Sequence, residues 1–140
     1  MTADTKFAHE YPVLIREAHL DVFGHVNNAA YLQIFEEARW DWITRGGFGM
    51  KEIFERGIGP VVLEANLRFQ REAKNREAMV VKSRTLKYEG KIGKVEQVMV
   101  RADGKASCTA LFTVALFDIK ARRIISPTPE WLKAVGTGGM

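Results

Sequence analysis

The chain has 140 residues, 46% of them hydrophobic, with 21 Lys plus Arg against 17 Asp plus Glu and a formal net charge of +4. That length suits one domain over 1–140, hiding roughly 70% of its extended surface. It lacks the run of about 18 apolar residues that a membrane-crossing helix needs and an apolar signal stretch at its start, so a cytoplasmic protein is expected. The basic excess is mild and spread out; with no dense basic stripe or binding motif it predicts no nucleic-acid partner and suits an anionic small molecule or an acidic carrier protein.

Phe7, Tyr11, Val13 and Ile15 partly alternate and predict a first strand over 7–17. Asp21, the bend at Gly24 and the Asn27-Asn28 pair follow, and Tyr31, Phe35, Ala38 and Trp42 then share one face of a long helix over 28–45 that Gly46-Gly47 stops. After a short helical stretch at 50–56, Leu63, Ala65, Leu67 and Phe69 alternate with polar residues and predict a half-buried strand. Three more strands are expected at 78–88, 93–102 and 105–118, with Glu89-Gly90 and Asp103-Gly104 as hairpin signals. Pro127 and Pro129 bracket a turn before a short helix at Glu130-Trp131-Leu132, and 136–140 reads as a loose tail. Strand, helix, then four strands make an α+β domain in which one antiparallel sheet packs on one principal helix, leaving an edge or face for a second copy to cover.

Chemistry concentrates in residues 19–39. Asp21 precedes the bend, and the free N–H groups of a helix opened by Asn27 or Asn28 face back toward it. A carboxylate beside donors at the positive end of a helix dipole is the layout of acyl transfer, with the donors holding the oxyanion. Each residue also has a plainer role. Asp21 suits a turn in which its carboxylate bonds nearby backbone N–H groups. Asn27 and Asn28 suit caps, His25 orients substrate or holds the loop, and Tyr31 and Phe35 suit core or pocket wall. Glu36 suits an ion pair with Arg39 or with a chain across an interface. Gly-x-Ser-x-Gly is absent. The sole cysteine, Cys108, lies in an apolar run and reads as a small buried hydrophobe, which excludes internal disulfides and thiolate metal cages. His19 and His25 share no helical face, so no metal is expected.

The pattern Asp21-x-x-Gly24-His25-Val26-Asn27-Asn28-x-x-Tyr31, followed by Phe35-Glu36-Glu37-Ala38-Arg39, resembles the hotdog-fold acyl-CoA thioesterases of the 4-hydroxybenzoyl-CoA thioesterase type. The resemblance covers nearly the whole chain, with Arg68-Phe69-Gln70-Arg71-Glu72-Ala73 where the second strand ends. It implies a five-stranded antiparallel sheet wrapped around one long helix, a homodimer or homotetramer with the site at the dimer interface, and hydrolysis of acyl-CoA thioesters. Coenzyme A is then part of the substrate and no cofactor is implied. By motif position Asp21 is the general base or nucleophile, the main-chain N–H of Asn28 polarises the carbonyl, and His25 supports them. Gly24, Val26, Asn27, Tyr31, Glu36 and Lys91 are the candidate substrate contacts. Lys91 belongs with Lys87, Lys94 and Arg101 to a basic group placed around the Glu89-Gly90 hairpin, either for coenzyme A phosphates or as solvated charge. His19 and Gly93 depart from the family pattern, which often has an acidic residue and a serine there. Another branch of the fold uses a helix carboxylate, for which Glu36 and Glu37 are the candidates. The alternatives are a non-catalytic acyl-CoA or acyl-carrier-protein binding module, and a hydratase or dehydratase on the same fold; the Asn-Asn form of the motif leans toward fatty rather than aromatic acyl groups.

Overall fold

Helix α1 runs over Asn28–Arg45 in the computed structural model, which describes residues 6–136. The Asn27 side chain caps it by accepting from the Ala29 N–H at 2.8 Å. Ala30, Tyr31, Ile34, Phe35, Ala38 and Trp42 form its buried stripe. It ends at Gly46, where a Cβ would stand 2.7 Å from the Ala134 Cα, so only glycine lets helix α3 (Pro129–Ala134) seat so closely. The short helix α2 spans Met50–Arg56 and closes on Gly57 in the left-handed conformation. The tail expected at 136–140 lies from 137 onward outside the described residues.

Strands β1 (His9–Leu14), β2 (Ile58–Phe69), β3 (Ala78–Glu89), β4 (Ile92–Val100) and β5 (Ala106–Asp118) form an antiparallel sheet in the order β1-β3-β4-β5-β2. A sixth strand, β6 (Arg123–Ile125), pairs with the end of β5, so the expected five strands are joined by a short one. Register shifts at Val62/Glu64, Thr85/Lys87 and Met99/Val100 accompany the curl of the sheet over α1, which is the hotdog architecture. Phe35 meets Phe112 edge-on, with centroids 6.0 Å apart, at the centre of the core.

Two strands differ from expectation. β1 stops at Leu14 rather than residue 17, because the chain folds into a 3₁₀ turn over Glu17–His19 that carries it toward α1. β2 begins at Ile58 rather than near residue 63, and its alternation does not bury one face: Leu63 is 47% and Phe69 54% exposed. As an outermost strand with β5 as its partner, β2 leaves apolar side chains and a backbone edge uncovered.

Candidate active site

Residues 21–26 close into a tight loop. The Asp21 N–H bonds the His25 carbonyl at 2.9 Å and the Gly24 N–H bonds the Asp21 carbonyl at 3.1 Å. Gly24 sits at φ +80°, a left-handed conformation that glycine adopts without a Cβ penalty. The Asp21 side chain works within this loop, since Oδ1 accepts from the Phe23 N–H at 2.9 Å and the His25 N–H at 3.3 Å. Its Oδ2 makes no hydrogen bond among the described residues, and the residue borders an open cleft of about 500 Å³.

The start of α1 forms the facing wall. The Ala29 N–H is taken by the cap, and those of Ala30 and Tyr31 by the Asn27 carbonyl, so the Asn28 N–H is the first-turn donor without an acceptor among the described residues. Asn28 and Asp21 border the same cleft. The loop after β2 completes it. Val26 donates its N–H to the Ala73 carbonyl at 3.2 Å, and His25 Nε2 lies 2.7 Å from Glu72 Oε2, with Lys74 Nζ 3.6 Å from the other Glu72 oxygen. Behind the cleft the buried Tyr31 hydroxyl meets Ser107 Oγ at 2.8 Å, and Ser107 donates onward to the Arg71 carbonyl at 2.7 Å. Burial raises the Tyr31 phenol above its ordinary pKa, so it stays protonated. The Tyr31 ring also packs 5.5 Å from that of Phe69.

The structure thus brings Asp21, His25, Val26, Asn28 and Tyr31 to one cleft, with Gly24 shaping the turn and Asn27 acting as the cap. Glu36 lies two turns further along α1 and borders a separate pocket. Lys91 sits in the β3–β4 turn, at the end of the sheet where Gly93 pairs with Val114, whereas the cleft lies at the end where Phe69 pairs with Cys108. The basic group also divides: Arg101 follows β4 at the opposite end from that hairpin, bonded to Asp103, because an extended strand separates it from Lys91 and Lys94. No Glu36–Arg39 ion pair forms among the described residues. Arg39 turns inward and donates to Gln97 Oε1 at 2.9 Å. The neighbouring Glu37 accepts from Tyr11. Cys108 is fully buried, and burial pushes its thiol up to about 12.

Neither Glu72, which enters only as part of the Arg68–Ala73 run, nor Ser107 has a role assigned from the sequence. Glu72 stands in the charged run from Arg68 to Glu77, where nothing local distinguishes it, and Ser107 looks like any hydroxyl entering a strand. Both acquire their roles through contacts distant along the chain.

A family model described as the thioesterase-like superfamily matches residues 14–135. The long-chain acyl-CoA thioesterase FadM of Escherichia coli (strain K12) is 31% identical over 115 residues, covering 81% of this chain and 86% of that protein. The crystal structure of YbaW, a probable thioesterase from Escherichia coli, matches with a TM-score of 0.82 at 30% identity, covering 91% of this chain and 98% of the other. The protein SAV2348 from Staphylococcus aureus, solved in complex with CoA, shares the fold with a TM-score of 0.86 at 15% identity, over 93% of this chain and 82% of that one.

Proposed function

Because the chain belongs to the thioesterase-like superfamily, we propose that it is an acyl-CoA thioesterase in which the Asn28 N–H holds the thioester carbonyl while Asp21 drives its attack by water. The observation that carries this reading is the pairing, in one cleft, of the open first-turn N–H of α1 with a carboxylate whose second oxygen is unbonded among the described residues. The N–H and the positive end of the helix dipole stabilise the charge that collects on the carbonyl oxygen. Asp21 either takes a proton from water or adds to the carbonyl to give an anhydride that water cleaves; both routes break the C–S bond, release the thiol of coenzyme A and need the same geometry. Thiolate is a good leaving group, so this pair suffices without a serine triad. The substrate acyl group is fatty, carried on coenzyme A or on the equivalent arm of an acyl-carrier protein.

The working unit is a homodimer, or a homotetramer built from it. Val62, Leu63 and Phe69 stand exposed along the free edge of β2, the kind of edge that pairs with a second copy. Antiparallel pairing through β2 brings the Phe69 end of one copy, beside its cleft, toward the N-terminal part of β2 in the other. No helix among the described residues is long and apolar enough to cross a membrane.

The test is thiol release from short, medium and long fatty acyl-CoAs and aryl-CoAs, comparing the wild type with Asp21→Asn at matched thermal stability. A fall of about a hundredfold or more is expected. Comparable turnover in the variant would transfer the chemistry to Glu36. Binding of acyl-CoA without turnover by the wild type would make the protein a binding module.

A further inference from the structure

Beneath the middle of α1 lies a second and more enclosed pocket, of about 100 Å³, whose walls are apolar apart from Glu36 and Arg39. The Arg39 guanidinium lies 4.3 Å from the centroid of the Phe112 ring, and burial pulls its pKa down to about 10. Its hydrogen bond is the one from Nη1 to Gln97, and no carboxylate pairs with it among the described residues. Gln97 is itself fully buried and fixed, donating through Nε2 to the Phe35 carbonyl at 3.1 Å and to Ser83 Oγ at 3.0 Å. Helix α1 and strands β3 and β4 therefore combine to aim one acceptor at one guanidinium.

A guanidinium carries five N–H donors; Arg39 is half-buried, and its Nε and Nη2 are not sealed from solvent, so these donors can exchange water for an oxygen of a ligand in the pocket. We propose that this pocket receives the tail of the acyl group, and that Arg39 selects chains bearing a hydroxyl or oxo oxygen remote from the thioester. The inference rests on the thioesterase reading above. The Trp40, Ile43, Val61 and Val95 walls take the hydrocarbon, and the free donors of Arg39 take the oxygen. The selected oxygen is neutral, because Glu36 lines the same pocket and already supplies a negative charge that acts on Arg39. A carboxylate-ended chain would face that charge. Arg39 stands eleven residues along α1 from Asn28, about 16 Å at the helical rise, so the oxygen it reads is not that of the thioester. In the antiparallel dimer proposed above, the pocket of one copy adjoins the cleft of the other along β2.

The test compares acyl-CoAs of one chain length: saturated, hydroxylated or oxo-substituted toward the tail, and ω-carboxylated. The wild type should favour the hydroxy and oxo chains in kcat/KM by about tenfold or more over the saturated one, a ratio that drops toward one in Arg39→Met and is intermediate in Arg39→Lys, which keeps the charge without the planar fork. All three tryptophans of the chain, Trp40, Trp42 and Trp131, line the pocket, so binding of the corresponding free acids to the wild-type protein is readable by intrinsic fluorescence without turnover. The hydroxy acid should quench at a lower concentration than the saturated acid. Equal rates and equal quenching by saturated and oxygenated chains would overturn the proposal, as would a preference that persists in Arg39→Met or one that favours the carboxylate chain. Absence of hydrolysis on every substrate would sink the thioesterase reading alone, and the fluorescence comparison would still decide the role of Arg39.

Discussion

Tyr31 donates its hydroxyl proton to Ser107, because the single proton of Ser107 is already given to the Arg71 carbonyl at 2.7 Å. The chain of bonds joins the first turn of α1, the start of β5 and the loop after β2 immediately behind the cleft. The proton direction makes the two partners unequal. Tyr31→Phe leaves Ser107 bonded to Arg71 and should cost about 1 kcal/mol, whereas Ser107→Ala strands both the phenol and the carbonyl and should cost about 1–3 kcal/mol. Urea unfolding of the two single variants and the double variant checks the order, and a larger loss for Tyr31→Phe would refute the assigned direction.

Asn28 is the first residue of α1, and its proposed contribution is a backbone N–H rather than a side chain. Asn28→Ala keeps that donor and should retain turnover within a few-fold. Proline suits the first helical position, and Asn27 already has the extended ψ of 144° that a residue before proline requires. Asn28→Pro should therefore fold with near-normal stability while losing about a hundredfold in kcat, as expected when one oxyanion donor is deleted. Equal activity of the alanine and proline variants would remove the helix start from the mechanism.

Glu17, in the 3₁₀ turn leading to Asp21, accepts from Asn75 at 2.9 Å and from the Arg76 guanidinium at 3.0 and 2.8 Å. The Asn75 bond first, with help from backbone and Arg76, holds its carboxyl down to about 2, below the ordinary 4.5. A depressed folded pKa means that the carboxylate stabilises the fold in full above 4.5 and that this contribution disappears as the pH falls toward 2. Thermal unfolding of wild type and Glu17→Gln should accordingly differ most above pH 4.5 and converge toward pH 2. A constant gap across that window would show that the carboxylate charge is not what secures the loop.

Gly93 pairs across β3 and β4 with Tyr88, and a Cβ on it would stand 2.5 Å from the tyrosine ring. The ring is tethered, because its hydroxyl accepts from Trp131 Nε1 at 3.1 Å. Gly93→Ala should thus destabilise by about 1–3 kcal/mol through overpacking, and the cost should shrink in a Tyr88→Leu background.

The bounds of α1 were legible because they are marked by residues acting within a turn of themselves, the Asn27 cap and the closing Gly46. The hairpins were legible for the same reason, from glycines at Gly90 and Gly104 that take positive φ. The exposure of Leu63 and Phe69 was not, since alternation states which residues share a face of β2 and not whether anything in the chain covers it. Nor was the division of Arg101 from the lysines of the β3–β4 turn, which follows from the length of the strand between them.

By itself, then, the sequence determined the helices, the hairpins, the motif and the pairing of a carboxylate with a helix start, because caps, turns and periodicity are short-range forces written in neighbouring residues. The tertiary structure alone decided that Glu72 meets His25, that Tyr31 reaches Ser107 across 76 residues and that Arg39 reaches Gln97 across 58. Those meetings depend on strand register and on where α1 lies across the sheet, which the whole chain sets when its apolar faces are buried together.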